Sequence, residues 1–113
     1  METDVQSRVV ISMPHYVAPW DSDRYVNKFL RQMQDSGTQY VLDMEGVQNI
    51  YSGTVRLLMR LYDRAVRLGS TLVIVNADDP VCNALRSLRL DEKIPVNPPI
   101  DILSIDTAYC IAA

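Results

Sequence analysis

Tyr40-Val41-Leu42-Asp43-Met44 is a short apolar run that passes, through one turn, into a helical pattern beginning at Ser52-Gly53-Thr54 and lasting to Leu68. A run of this length reads as a buried strand, and Leu57, Leu58, Leu61, Ala65 and Leu68 recur at the spacing of one buried helix face. Gly69 then supplies a helix stop, and Thr71-Leu72-Val73-Ile74-Val75 is a second apolar run. Two strands joined by a helix of this length form a crossover unit, so they lie parallel in one sheet. The same stretch places hydroxyl side chains at the positive end of a helix dipole, where an added phosphate can be held.

The rest of the chain extends the alternation. Val9 to Met13 is β-branched and stopped by Pro14, which predicts a strand, and Tyr16-Val17-Ala18 predicts a second, frayed one before Pro19. Trp20-Asp21-Ser22-Asp23 opens a helix along which Tyr25, Val26, Phe29, Leu30 and Met33 recur, until Asp35-Ser36-Gly37 ends it. Asp79-Pro80 caps a third helix with Val81, Cys82, Leu85 and Leu88 on one face. Ile94-Pro95-Val96 reads as an edge strand, and after Asn97-Pro98-Pro99 the segment Ile102 to Ala112 reads as a closing helix. The expected architecture is one α/β domain over residues 1–113, with four or five mostly parallel strands and about four helices. Functional groups in such sheets gather in the loops beyond the strand C-termini, and the turn from Glu45 to Thr54 is one of them.

Composition narrows the function. The chain has 113 residues, 48% hydrophobic and 22% charged, and a net charge of −3, which argues against a nucleic-acid binder held by a broad basic face. No apolar run approaches the roughly 20 residues a membrane span requires. Met1-Glu2-Thr3-Asp4 is acidic where a secretory signal is basic, so a cytoplasmic location is expected. Cys82 and Cys110 have neither C-x-x-C spacing nor histidines to complete a zinc site, and read as two buried thiols in a reducing compartment. Neither glycine-rich phosphate-cradling motif occurs. The single histidine, His15, stands in a proline-rich turn, and neither Ser52 nor a cysteine sits in a nucleophile elbow.

Two features of the helix from Ser52 to Leu68 carry functional weight. Ser52 reads either as the N-cap or as a phosphate acceptor, with Thr54 as a second acceptor and Tyr51 as either an exposed contact or a buried ring with a solvated tip. Arg56, Arg60, Arg64 and Arg67 fall within about 80° of one another at about 100° per residue, a basic stripe on an acidic protein. The stripe reads as a solvated face with a partner such as Asp63, or as a docking surface for an acidic protein.

The run Val41-Leu42-Asp43-Met44-Glu45-Gly46-Val47-Gln48-Asn49-Ile50-Tyr51-Ser52-Gly53-Thr54-Val55, with the helix and strand after it, resembles the signature of STAS domains, the family of bacterial anti-sigma-factor antagonists. The match runs without gaps from about Tyr40 to Val75, and the order of elements agrees over nearly the whole chain. Where the family has Asp-Ser-Ser-Gly this chain has Tyr51-Ser52-Gly53-Thr54, and Met13-Pro14-His15-Tyr16 stands where the family often has Gly-Glu-Leu-Asp. The resemblance implies a non-enzymatic, cofactor-free interaction domain; taken with the arginine stripe, it gives expected partner contacts at Tyr51, Ser52, Gly53, Thr54, Arg56, Arg60, Arg64 and Arg67. It implies an anti-sigma-factor serine kinase of the histidine-kinase-like ATPase fold as partner, Ser52 as its phosphorylation site, and a PP2C-type phosphatase that resets the switch. Two other readings stand beside it: a constitutive STAS subunit of a sensory scaffold or lipid-transporting ABC system, and a receiver-like domain phosphorylated on Asp43. A receiver would need further carboxylates at the end of the first strand, where Met13-Pro14 stands, and Lys28 and Lys93 are the only lysines. Self-association is left open.

Overall fold

Three five-residue strands, β1 (Arg8–Ser12), β2 (Gln39–Asp43) and β3 (Thr71–Val75), form the centre of the molecule. The computed structural model describes residues 7–98 and the backbone of residues 109–111. β1 pairs in parallel with β2, Val10 opposite Val41, and β2 pairs in parallel with β3, Val41 opposite Val73. A short strand β4 (Tyr109–Ile111) adds to the other side of β1, also in parallel, giving the order β3-β2-β1-β4.

Alternation along the strands separates two apolar layers. Val9, Ile11, Tyr40, Leu42, Leu72 and Ile74 face the helices, and Val10, Val41, Val73 and Val75 form a second buried cluster. Burial on both faces is why these strands read as near-continuous apolar runs. The helix layer consists of α1 (Ser22–Leu30), α2 (Ser52–Leu68) and α3 (Asp79–Ser87), with short 3₁₀ turns at Pro19–Asp21 and Leu90–Glu92. Phe29 of α1, Leu57, Leu58 and Leu61 of α2, and Val81 and Leu85 of α3 are fully buried against the sheet.

Local chemistry sets the helix ends. α2 stops at Gly69, which adopts φ 68°, and the Ser70 amide donates back to the Ala65 carbonyl at 2.9 Å. α3 is capped by Asp78, whose carboxylate accepts from the Val81 amide at 3.2 Å, one residue earlier than the expected Asp79. α1 ends at Leu30; Met33 lies in a turn just beyond it, its amide donating to the Phe29 carbonyl at 3.1 Å.

Three expectations are corrected. Tyr16-Val17-Ala18 is not a strand, because Val17 and Ala18 are buried against α2 instead of pairing in the sheet. Ile94-Pro95-Val96 contributes a single bridge, Val96 beside Ile74, since Pro95 has no amide to extend a ladder. The closing helix is overturned at Tyr109–Ile111, which forms β4; residues 102–108 and 112 of that expectation lie outside the described residues.

Candidate protein-docking site at the head of the second helix

The chain enters α2 through Tyr51, in extended conformation at φ −101° and ψ 167°, and makes its first helical residue at Ser52. Tyr51 therefore occupies the N-cap position, and its side chain makes no capping bond. The reading of Ser52 as the cap is thus corrected by one residue. Ser52 is exposed, and its hydroxyl bonds no described residue. The first amides of a helix have no intrahelical partner, so the head of α2 presents N–H donors to whatever docks there.

Gly53 fits the start of α2 because it has no side chain. A Cβ there would collide with the backbone carbonyl of Val17 and lie 2.7 Å from that of Ala18. Thr54 is 1% exposed, its hydroxyl turned into the protein. Of the two hydroxyls named as acceptors, only that of Ser52 is open to an enzyme.

The loop after β1 grips the loop after β2 and the first turn of α2 at three successive points. The imidazole of His15 lies against Gly46, which adopts φ 86° and has no room for a Cβ. Tyr16 meets Tyr51 edge to face, ring centroids 4.8 Å apart and planes at 79°. The Val17 and Ala18 carbonyls close over Gly53. Tyr51 is 40% exposed and Trp20 80%, so the head of α2 carries an open aromatic rim. The Asn49 amide donates to the Tyr51 hydroxyl at 3.5 Å.

The arginine stripe is largely engaged within the chain. Arg56 pairs with Asp23 of α1 at 3.3 Å, Arg64 donates to the Met33 carbonyl at 3.4 Å, and Arg67 pairs with Asp63 at 3.0 Å. Arg60 forms no ion pair with a described residue and lines an open cleft with Leu30, Asp63, Arg64 and Arg67. The stripe joins α2 to α1 and leaves outward-facing charge at Arg56, Arg60 and Arg67.

Asp43 ends β2 with one carboxylate oxygen accepting from the Glu45 amide and from the Asn76 side chain, each at 3.0 Å. Ser12 stands opposite it on β1. Among the described residues no three His, Cys, Asp or Glu side chains gather as a metal site. Among the described residues, too, no helix is long and apolar enough to cross a membrane.

One feature escaped the sequence reading. Val55, Met59, Tyr62 and Val66 recur along α2 at i, i+4, i+7 and i+11, and Met59 and Val66 are exposed. The periodicity was present, but the stronger stripes of leucine and arginine on the same helix masked it.

Among the described residues, a parallel sheet with one helix layer, in which the long α2 joins β2 to β3, forms the fold of a STAS-type domain. The chain belongs to the STAS family: the family profile described as "Mlab, STAS domain" matches residues 19–99. Domains of this family generally serve as non-enzymatic protein-interaction modules. The chain is similar in fold to an anti-sigma-factor antagonist (STAS) domain protein from Planctomyces limnophilus, with a TM-score of 0.68, 22% identity, and coverage of 80% of this chain and 82% of that one. Among curated proteins no match is found.

Proposed function

We propose that this chain is an anti-sigma-factor-antagonist-like module that docks a protein partner at the head of α2 and is released when Ser52 is phosphorylated. The observation that carries the reading is the exposed Ser52 at the first helical position of α2, where no side chain among the described residues occupies the leading amides. The partner is an anti-sigma-factor serine kinase, and a PP2C-type phosphatase restores the unmodified form. Phosphorylation leaves the fold intact, since the helix dipole favours the added charge by about 0.3–1 kcal/mol at an exposed site. It blocks docking, because up to about two negative charges enter an interface that must desolvate them.

A second reading has its own support. Tyr51 replaces the family's acid and is held by Tyr16, so the approach to Ser52 carries a ring where a charge stands in the family pattern. A constitutive subunit, in a sensory scaffold or a lipid-transporting ABC system, would use that rim without any modification. Intact-mass analysis after incubation with ATP and an anti-sigma-factor serine kinase separates these readings and the receiver. One added phosphate, lost in Ser52→Ala, supports the switch. Tight binding with no adduct supports the constitutive subunit, and an alkali-labile adduct lost in Asp43→Asn would support the receiver.

A further inference from the structure

The exposed apolar stripe of α2 leads away from the head of the helix into a half-open cavity of about 390 Å³. Its walls are Tyr62, Ala65 and Val66 of α2, Leu72 of β3, and Lys93 and Pro95 from the segment after α3. Val66 is 57% exposed and Met59 36%, so the stripe remains open to solvent from the cavity toward the middle of the helix. Val66 lies fourteen residues beyond Ser52 in α2, which at 1.5 Å per residue separates the cavity from the switch serine by about 21 Å.

Polar groups border this apolar surface unevenly. On one side stands Lys93, its ammonium 5.7 Å from the centroid of the Tyr62 ring. On the other stand Arg56, Arg60 and Arg67, of which Arg56 is paired with Asp23 and Arg67 with Asp63, so that Lys93 and Arg60 carry the charge that no described carboxylate pairs. Asp91 and Glu92 precede Lys93 but do not line the cavity. Gln39 does line it, and its buried side-chain oxygen has no hydrogen-bond partner among the described residues.

We propose that this surface receives an amphipathic helix of a partner protein, its apolar face flanked by acidic side chains, with one large apolar residue seated in the cavity. Helix-in-groove recognition uses anchors at i, i+3 or i+4, and i+7, and Met59, Tyr62 and Val66 offer i, i+3 and i+7 in return. The cationic border selects acidic flanks. A second copy of this chain is the poorer occupant: a two-fold pairing of the stripes sets Lys93 against Lys93 and the arginine row against itself. A small molecule would fill the cavity and leave Met59 and the stripe above it uncovered. The site stands apart from the α2 head and does not depend on phosphorylation of Ser52.

The test uses a fluorescein-labelled amphipathic peptide with leucine along one face and glutamate on both flanks, titrated with the full chain and followed by anisotropy. A counterpart carrying lysine in place of glutamate is titrated in parallel. The glutamate peptide should bind saturably and the lysine peptide should not. Val66→Asp and Lys93→Glu, both at exposed positions and checked for folding by circular dichroism, should each weaken binding by about tenfold or more. Ser52→Glu should leave it unchanged, so that failure of the switch and failure of this site are told apart. Equal binding of the two peptides, no binding of the glutamate peptide, or indifference to both substitutions at the cavity would overturn the proposal. So would sedimentation showing a wild-type dimer that Val66→Asp dissociates, which would assign the stripe to a second copy.

Discussion

Gly53 and Val17 meet backbone to backbone: the first turn of α2 presses on the carbonyl of Val17 so closely that no Cβ fits between them. This contact fixes the exposed serine, one residue earlier, relative to the loop that carries Tyr16 and Trp20. Gly53→Ala must push the two segments apart. Overpacking of this kind costs about 1–3 kcal/mol. Urea denaturation should show that loss, and partner binding at the α2 head should weaken even where the variant remains folded.

Ser52 and Asp78 make a contrasting pair. Asp78 caps α3 through the Val81 amide, so Asp78→Ala should cost about 0.5–2 kcal/mol. Ser52 stands inside α2 and its hydroxyl bonds no described residue, so Ser52→Ala should change stability by less than about 0.5 kcal/mol. Thermal or urea unfolding of the two variants side by side checks this. A loss at Ser52 as large as that at Asp78 would mean that the hydroxyl serves the helix.

The Tyr16–Tyr51 contact should appear as a coupling energy. A double-mutant cycle with Tyr16→Ala and Tyr51→Ala, read by denaturant unfolding, should give about 0.5 kcal/mol, the low end for aromatic pairs because both rings are partly in water. Zero coupling would show that the two loops do not hold each other through these rings.

The Arg56–Asp23 pair is open to solvent on both sides, 58% and 69% exposed. Removing it by Arg56→Ala should therefore cost no more than about 1 kcal/mol, and added salt should shrink the difference. Stability measured at low and high salt decides the point.

The parts of the fold legible in the sequence were those whose period is local. β2, α2 and β3 follow one another with strong apolar periodicity and a glycine stop at Gly69, and the structure places them where the pattern does. The misread segments depend on distant partners. Tyr109–Ile111 has an apolar pattern that a helix could use, but pairing with Val9–Ile11 makes it a strand. Val17 and Ala18 are apolar because they pack on α2, far along the chain, and not because they alternate in a sheet. The site divides in the same way. Ser52 was visible from its place ahead of a helical run. The matches of His15 with Gly46 and Tyr16 with Tyr51 join loops with no shared linear pattern, and only the packed structure brings them together.

One phosphate on Ser52 should change what docks at the head of α2, and calorimetric titration of an anti-sigma-factor serine kinase with unmodified and Ser52-phosphorylated protein reads that change. Phosphorylation should weaken the complex by about 2 kcal/mol or more, at least about thirtyfold in affinity, while the melting temperature of the isolated domain stays nearly constant. Equal affinity of the two forms would contradict this expectation.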